Sequence, residues 1–426
     1  MSNKMLLTIN NLGPINNAEL DIAKINVIVG KNSTGKSTSS KFLYCLLTAS
    51  SSDGFYLANR DIKRRYMNFI SYWSNKLFDD SFSTKLNDIF TIINTDIIST
   101  RIFDDVYKDL INIADDISPM NLKNDYLKDL DSIHDLAEIN KNLKIRHAST
   151  FNLLFNSEYN GFLGENGNID VKLHGEIDGE PLNQEIHITN NGKNWAVTNE
   201  YLTYFNFKNI IYIDSPSVLE FDNEINKQIH FQLLNRKLRK LTSDVYDDEA
   251  YKKLIEFKKK IDNLINGEFI YNPKSRKFSF KKDGLIFPME NTASGLKQLG
   301  ILQILLEKNE LTEDSFLIMD EPEINLHPEF QVKLAEILVL ASKELNITTY
   351  INTHSPFLAE AIEVYSKYYG LYNDTNFYLT EESEISGKYN YNLIDDLDIM
   401  KVYMNLGNPF DILNGVRFKL ELDDGD

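Results

Sequence analysis

Residues 30–38 read GKNSTGKST, a loop whose residue types and spacing suit the binding of a phosphate chain. The loop fits the pattern G-x-x-x-x-G-K-[ST], in which Gly30 and Gly35 free the backbone so that several N–H groups can point at phosphate oxygens. In this pattern the ammonium of Lys36 reaches the β- and γ-phosphates, and the hydroxyl of Ser37 is a ligand of Mg²⁺. The expected nucleotide contacts are Gly30, Lys31, Asn32, Ser33, Thr34, Gly35, Lys36, Ser37 and Thr38.

Two elements must flank this loop if it binds phosphate. The apolar run KINVIV at 24–29 predicts a strand directly before it, and STSSKFLYCLLTA at 37–49 predicts a helix after it. The N-terminus of that helix adds a favourable dipole at the phosphate site. A glycine-rich turn without a ligand is disfavoured, because strand, loop and helix all agree with the pattern.

A second chemical group lies at 315–328, where the sequence reads SFLIMDEPEINLHP. Residues 315–319 predict a buried strand, and Asp320 and Glu321 stand at its C-terminal end, the edge at which open α/β sheets bind ligands. We expect Asp320 to hold Mg²⁺ through its water shell and Glu321 to orient or deprotonate an attacking water. The alternative is a solvated acidic turn, which the phosphate loop in the same chain disfavours.

Two further segments carry residues that suit a phosphate. ITTYINTHSP at 347–356 predicts a strand ending in His354, whose imidazole is expected to contact a γ-phosphate. NTASGLKQLGILQILL at 291–306 places Ser294 and Gly295 directly before an apolar helix, and an exposed helix N-terminus is an anion site. The alternative for Ser294 is an ordinary N-cap.

In this order, the phosphate loop, ASGLKQ, LIMDEPEINLHP and INTHSP resemble the ABC-type ATPase heads of the RecF, SMC and OLD group. The resemblance covers 1–50 and 285–360 well and the rest of the chain loosely. It implies an α/β fold, a P-loop ABC-type ATPase head with an antiparallel β lobe and helical insertions, and ATP and Mg²⁺ as cofactors. The roles it implies are Walker A for Gly30–Thr38, signature for Ser294–Gly295, Walker B aspartate and catalytic base for Asp320 and Glu321, switch histidine for His354, and D-loop region for 323–328.

The signature departs from the transporter-type pattern. Leu296 stands where such heads carry a second glycine, and Lys297 follows where Gln or Glu is usual. In the family that the motifs resemble, two heads sandwich two nucleotides, and each signature contacts the γ-phosphate held by the partner. The resemblance therefore implies a homodimer or higher homo-oligomer.

Composition limits the partners and the compartment. The chain of 426 residues is 42% hydrophobic and has no apolar run long enough to span a membrane. A single cysteine, Cys45, excludes an internal disulfide framework, and the N-terminus does not read as a signal peptide. The net charge of −18 disfavours a broadly basic surface for nucleic acid. We expect a cytoplasmic protein without membrane contact, and DNA binding is the less favoured alternative.

Periodicity divides the chain into segments. Apolar residues recur at helical spacing in the region after the first motif, and period-two alternation, as in NIDVKLHGEI, follows it. A helix is predicted over 393–406, and NNGK at 190–193 predicts a hairpin turn. The expected organisation is an N-terminal hairpin with the P-loop at 1–50, a helical insert at 51–160, a β-rich part at 161–221, a helical and hairpin segment at 222–284, the signature, Walker B and switch-histidine lobe at 285–365, and a C-terminal docking or packing segment at 366–426.

The resemblance also implies a biological role. A head without long coiled-coil arms or its own nuclease resembles the ATPase subunits of two-gene anti-phage systems such as Septu and PARIS. It implies a sensor or scaffold that controls a separate effector protein, such as a nuclease, in antiviral defence. The alternatives are a RecF-like ATP-gated DNA-binding repair ATPase, which needs a continuous basic groove, and a transporter subunit, which needs a fuller signature.

Overall fold

The computed structural model describes residues 4–77, 80–94, 100–159, 168–177, 180–190, 195–199, 207, 209–220, 228–240, 249–394, 399–406 and 414. The chain divides into two compact units, one formed by 1–47 together with 155–426 and the other by 48–154. The helices are α1 Lys36–Ala49, α2 Ser52–Leu77, α3 Asp80–Ile93, α4 Thr100–Ala114, α5 Met120–Ile139, α6 Leu143–Tyr159, α7 Ile229–Leu238, α8 Glu249–Ile265, α9 Ser294–Glu307, α10 Pro328–Glu344, α11 Pro356–Tyr369 and α12 Ile399–Asn405.

An 11-stranded sheet organises the larger unit. Its strands are β1 Lys4–Asn10, β2 Ile15–Asp21, β3 Ile25–Val29, β4 Asn168–Ile177, β5 Glu180–Asn190, β6 Trp195–Asn199, β7 Asn209–Ile213, β11 Ser315–Asp320, β12 Thr348–Thr353, β13 Thr375–Glu382 and β14 Tyr389–Leu393. Their order across the sheet is β6-β5-β4-β1-β2-β14-β13-β3-β12-β11-β7. A second, three-stranded sheet contains β8 Glu268–Asn272, β9 Lys277–Lys282 and β10 Leu285–Pro288.

The strand directions divide the large sheet into two parts. Strands β13, β3, β12, β11 and β7 are parallel, and every residue of β3 and β11 is buried, as expected for strands covered on both faces. Strands β1, β2, β4, β5 and β6 pair antiparallel, with Ile169, Val171 and Leu173 buried on one face of β4. The fold is therefore α/β, with an antiparallel β part continuous with the parallel sheet.

The smaller unit is helical and has a core of its own. Its apolar cluster lies between residues 62 and 137 and includes the fully buried side chains of Tyr66, Trp73 and Tyr126. Trp73 and Tyr126 pack edge to face, with ring centroids 5.2 Å apart. Helical spacing in α2, α4 and α5 directs these side chains inward.

The structure corrects the prediction made for the C-terminal segment. The helix predicted over 393–406 covers only Ile399–Asn405 among the described residues, because Leu393 belongs to β14 and pairs with Tyr378. Residues 395–398 of that prediction lie outside the described part, as do 191–193 of the predicted NNGK turn. Strands β5 and β6, on either side of that turn, pair antiparallel. Within the described ranges, no helix combines the length and apolarity that a membrane crossing needs.

Candidate functional site

Three neighbouring parallel strands bring the predicted chemical groups to one edge of the sheet. Val29, the last residue of β3, pairs with Thr353, the last residue of β12. The loop after β3 and His354 after β12 therefore leave the sheet side by side. Asp320 pairs with Asn352 on the other side of β12. The phosphate loop, the acidic pair and the histidine therefore meet at the carboxyl ends of β3, β11 and β12, where such sheets bind ligands.

The loop at 30–35 has the backbone of an anion-binding turn. Ser33 and Gly35 adopt positive φ angles of 64° and 96°, and alternation of this kind turns successive N–H groups inward. Gly35 is required at its position because a Cβ there would lie 2.6 Å from Cγ1 of Ile15. Residues 31–33 are exposed, whereas Thr34, Gly35 and Lys36 are buried.

A chain of polar contacts joins the side chains of Lys36, His354 and Glu321. Lys36 Nζ donates to the carbonyls of Gly30 and Lys31 at 3.0 and 2.8 Å, and it lies 3.3 Å from Nδ1 of His354. His354 Nε2 lies 2.6 Å from Oε1 of Glu321. The neighbours favour the tautomer in which Nδ1 accepts from the ammonium and Nε2–H donates to the carboxylate.

Burial changes the ionisation of Lys36. Desolvation lowers the pKa of its ammonium to about 8, although Glu321, Asp320 and Glu323 favour the charged form. Such a cation lacks a full set of anionic partners, because two of its contacts are neutral carbonyls. A bound phosphate would supply the missing negative charge.

Asp320 is held by a buried hydrogen-bond network. Its Oδ1 accepts from Asn352 Nδ2 at 2.8 Å, its Oδ2 accepts from Tyr212 OH at 3.1 Å, and the hydroxyl of Ser37 also bonds to the carboxyl group. Asn352 Nδ2 donates to Ser40 Oγ of α1 as well, at 2.9 Å. Burial raises the pKa of Asp320, against the opposing effect of its three donors.

The donor set of Asp320 and Ser37 fits Mg²⁺. A carboxylate and a hydroxyl in contact are hard oxygen ligands, which this ion prefers to bind together with water and phosphate oxygens. A divalent cation would also offset the cost of keeping a carboxylate 7% exposed.

Glu321 stands in a backbone conformation that non-glycine residues rarely adopt. Its φ is 51°, and its N–H donates to the carbonyl of Asn352 at 2.9 Å. This bond ties the turn after β11 to β12 and leaves the Glu321 side chain partly exposed, directed to His354. Left-handed φ values in non-glycine residues concentrate at functional sites, where the surrounding structure enforces them.

The predicted signature residues meet the D-loop region of the same chain. Helix α9 begins at Ser294, and Ala293 is its N-cap, one residue before the position that the N-cap alternative gave. The atoms closest to a Cβ built on Gly295 belong to Leu326 and Asn325, with Leu326 Cδ2 at 2.9 Å. Lys297, which departs from the transporter-type signature pattern, forms an ion pair with Glu220 at 2.5 Å.

A buried ionic cluster lies behind Tyr212. His230 Nδ1 and Nε2 contact Glu158 Oε2 at 2.5 Å and Asp214 Oδ2 at 3.0 Å, and its ring lies 5.0 Å from that of Tyr212. Burial disfavours the imidazolium, but the hydrogen bonds that the ring donates to Asp214 and Glu158 raise the pKa of His230 to about 9. The cluster supports the strand end that bears Tyr212.

Sequence reasoning missed the residues that position the others. Tyr212, Asn352 and Glu323 each bond to a predicted site residue or its loop. Asn352 and Glu323 stood inside the motifs INTHSP and DEPEINLHP, and their polarity next to buried strands was the available signal. Tyr212 gave no such signal, because an aromatic residue in an apolar strand is predicted to belong to the hydrophobic core.

Comparison with known proteins gives a family match over most of the chain. The family model described as an AAA ATPase domain matches residues 5–359. Among solved structures, the SMC head domain from Thermotoga maritima is 13% identical, over 93% of this chain and 100% of that chain, with a TM-score of 0.41. An Smc head domain with an extended coiled coil from Pyrococcus furiosus, bound to the C-terminal domain of ScpA, is 11% identical over 95% and 99%, with a TM-score of 0.42. A comparison with curated proteins gives no match.

Proposed function

Because the chain belongs to the family of AAA ATPase domains, we propose that it binds ATP with Mg²⁺ and hydrolyses it between two copies of this chain. The observation that carries this proposal is the convergence of Lys36, His354 and Glu321 in one chain of contacts at the carboxyl edge of the sheet. Kinases and small GTPases do not need this set, whereas an ATPase needs a phosphate cation, a water-orienting acid and a γ-phosphate contact.

Each group has a part in the proposed reaction. Lys36 leaves the loop carbonyls and contacts the phosphates, and the loop N–H groups bind phosphate oxygens. Glu321 orients the attacking water and accepts its proton, while His354 donates its Nε2–H to this carboxylate and faces the phosphate-binding ammonium of Lys36 through Nδ1. Ser37 and Asp320 would hold Mg²⁺, which would neutralise charge on the phosphate oxygens.

The dimer part of the proposal concerns the N-terminus of α9. Ser294 and Gly295 belong to a helix N-terminus that suits an anion, and Gly295 lies against Leu326 and Asn325 of the D-loop region. We propose that this surface contacts the γ-phosphate held by a second copy.

The proposed output is control of a separate effector protein, as in the two-gene anti-phage systems that the motifs resemble. A groove of about 380 Å³ lined by residues of α10 and α11 supports a protein partner, since it exposes the side chains of Val332, Phe357, Val364 and Tyr368 beside the partly buried Tyr365. Exposed aromatic groups are enriched at protein interfaces.

Ion pairing weighs against the DNA-clamp alternative. In the basic run at 236–240, Lys237 and Lys240 both pair with Glu310, at 3.3 and 2.6 Å. The run at 258–260 has the ion pairs Lys258–Glu307 and Lys260–Glu344. These lysines are partly neutralised, and a −18 chain repels a polyanion elsewhere.

Two measurements test the proposal. The first is phosphate release by the wild type and Glu321→Gln, with ATP affinity measured on both. We expect Glu321→Gln to bind ATP and to lose about 100-fold or more in turnover, and undiminished turnover would reject the assignment. The second is co-purification with the products of neighbouring genes: a defined complex that Val364→Asp weakens supports effector control, whereas sub-micromolar duplex binding with a steep salt slope favours the clamp.

A further inference from the structure

Glu323 binds the loop that carries His354. It lies three residues after Asp320, and its Oε1 accepts from three consecutive residues: Thr353 Oγ1 at 2.8 Å, His354 N at 2.6 Å and Ser355 N at 3.1 Å. Hydrogen bonds to a carboxylate are stronger than those between neutral groups. One side chain therefore fixes the backbone from which the imidazole projects.

A second buried side chain joins the same two loops. Gln331 of α10 donates from Nε2 to the carbonyl of Leu326 at 3.1 Å, and its Oε1 accepts from Ser355 Oγ at 2.5 Å. Ser355 is in turn the N-cap of α11. The loop at 323–328 and the loop at 353–355 thus form one connected body.

We propose that Glu323 is a positioning residue for hydrolysis, which sets the imidazole of His354 against the carboxylate of Glu321. The inference rests on the proposed ATPase function and adds a residue to it. The Nε2–Oε1 distance of 2.6 Å between His354 and Glu321 depends on where the loop at 353–355 lies. A displacement of about 1 Å in such a site costs about 100-fold in rate.

The carboxylate acts through its acceptor oxygen. Oε2 of Glu323 is buried and has no hydrogen-bond partner in the part of the chain that the structure describes. A glutamine offers the same acceptor at the same reach, so its Oε1 can receive the three donors. An aspartate keeps the charge but is one methylene shorter, so it cannot reach all three.

The experiment compares Glu323→Gln, Glu323→Asp and Glu323→Ala with the wild type, and Glu313→Ala is the control at an exposed loop glutamate. We expect Glu323→Asp and Glu323→Ala to lower kcat about tenfold or more, equivalent to about 1.4 kcal/mol in the barrier. Their ATP affinity should stay within about threefold, since no phosphate contact is lost. Glu323→Gln should restore most of kcat.

A readout that does not need turnover separates the two proposals. Imidazole NMR of histidine-labelled protein, with the His354 signal assigned by its loss in His354→Gln, should show a shifted signal in Glu323→Asp and an unshifted one in Glu323→Gln. If the wild type hydrolyses ATP and the aspartate variant keeps both kcat and the His354 signal, the positioning role is wrong and the ATPase function stands. If the wild type lacks turnover, the ATPase proposal fails, and the NMR signal still decides whether Glu323 positions His354.

Discussion

The left-handed backbone of Glu321 predicts an unusual order of stabilities. We consider Glu321→Gly and Glu321→Ala, which both remove the carboxylate and its contact with His354 and differ only in the Cβ atom. At φ 51° an L-residue costs about 1–2 kcal/mol. Glycine avoids this cost and loses about 0.5–1 kcal/mol through its greater freedom in the unfolded chain. We therefore expect the glycine variant to be the more stable by about 0.5–1 kcal/mol.

The assay is thermal unfolding of nucleotide-free protein, in which this difference corresponds to a shift of about 1 °C. The same pair of substitutions at Glu336, within α10, is the matched control, because both remove its bond to Tyr369 OH. There alanine should be the more stable, by about 1 kcal/mol, as in any helix interior. Both Glu321 variants should bind ATP and lack turnover.

An alanine variant at position 321 that is at least as stable as the glycine variant, while the Glu336 control behaves as expected, would contradict the cost assigned to the left-handed backbone. That result would mean that the turn after β11 relaxes to negative φ at no cost. The bond from Glu321 N to Asn352 O would then not enforce the conformation.

Three further predictions concern charge. Lys36→Ala should weaken ATP binding by about 10–100-fold, the loss expected for a charged hydrogen bond to phosphate, and an unchanged dissociation constant in calorimetry would contradict the loop assignment. The folded-state pKa of His230, about 9, exceeds its ordinary value of 6.5, so its stabilising effect is complete below pH 6.5 and is lost as pH rises through 9. Stability measured from pH 6 to 10 should fall across that window in the wild type and not in His230→Gln. We expect the wild type to bind duplex DNA weakly, with a dissociation constant above about 1 µM at physiological salt, and we expect the replacement of Lys277, Lys281 and Lys282 by alanine to leave this binding weak. Tight binding by the wild type that the triple variant loses would restore the clamp alternative.

Local signals in the sequence were sufficient for the motif-bearing elements. β3, α1, β11 and β12 lie where apolar runs and glycine spacing predicted them, because these signals act over a few residues. The position of the site at one edge of the sheet could be predicted because parallel strands present their carboxyl ends together.

The pairing of strands that are far apart in the chain could not be predicted from the sequence. Strand β14 pairs with β2, so that Tyr389 lies opposite Ile15, and this link joins the antiparallel part to the parallel sheet. Nothing in either segment specifies the other. The ion pair between Lys297 and Glu220 has the same character, and it gives a folding reason for a lysine that looked like a defect in the signature.

The hydrogen-bond partners of individual side chains could not be predicted from the sequence either, for a related reason. Glu323 was visible as an acid in the D-loop region, but its three donors come from a loop about thirty residues later in the chain. Which acid faces which loop depends on how β11 and β12 pair, and therefore on tertiary structure.

The most direct test of the composite ATPase site is subunit mixing. Lys36→Ala removes the phosphate cation from one chain, and Ser294→Arg obstructs the α9 N-terminus of the other, so each variant alone should be inactive. Mixed in equal amounts, they should recover about a quarter of wild-type turnover, because about half of the dimers are heterodimers and each of these has one intact site. If heterodimers form, as shown by two affinity tags, and turnover stays at the level of the single variants, hydrolysis between two copies of this chain is contradicted.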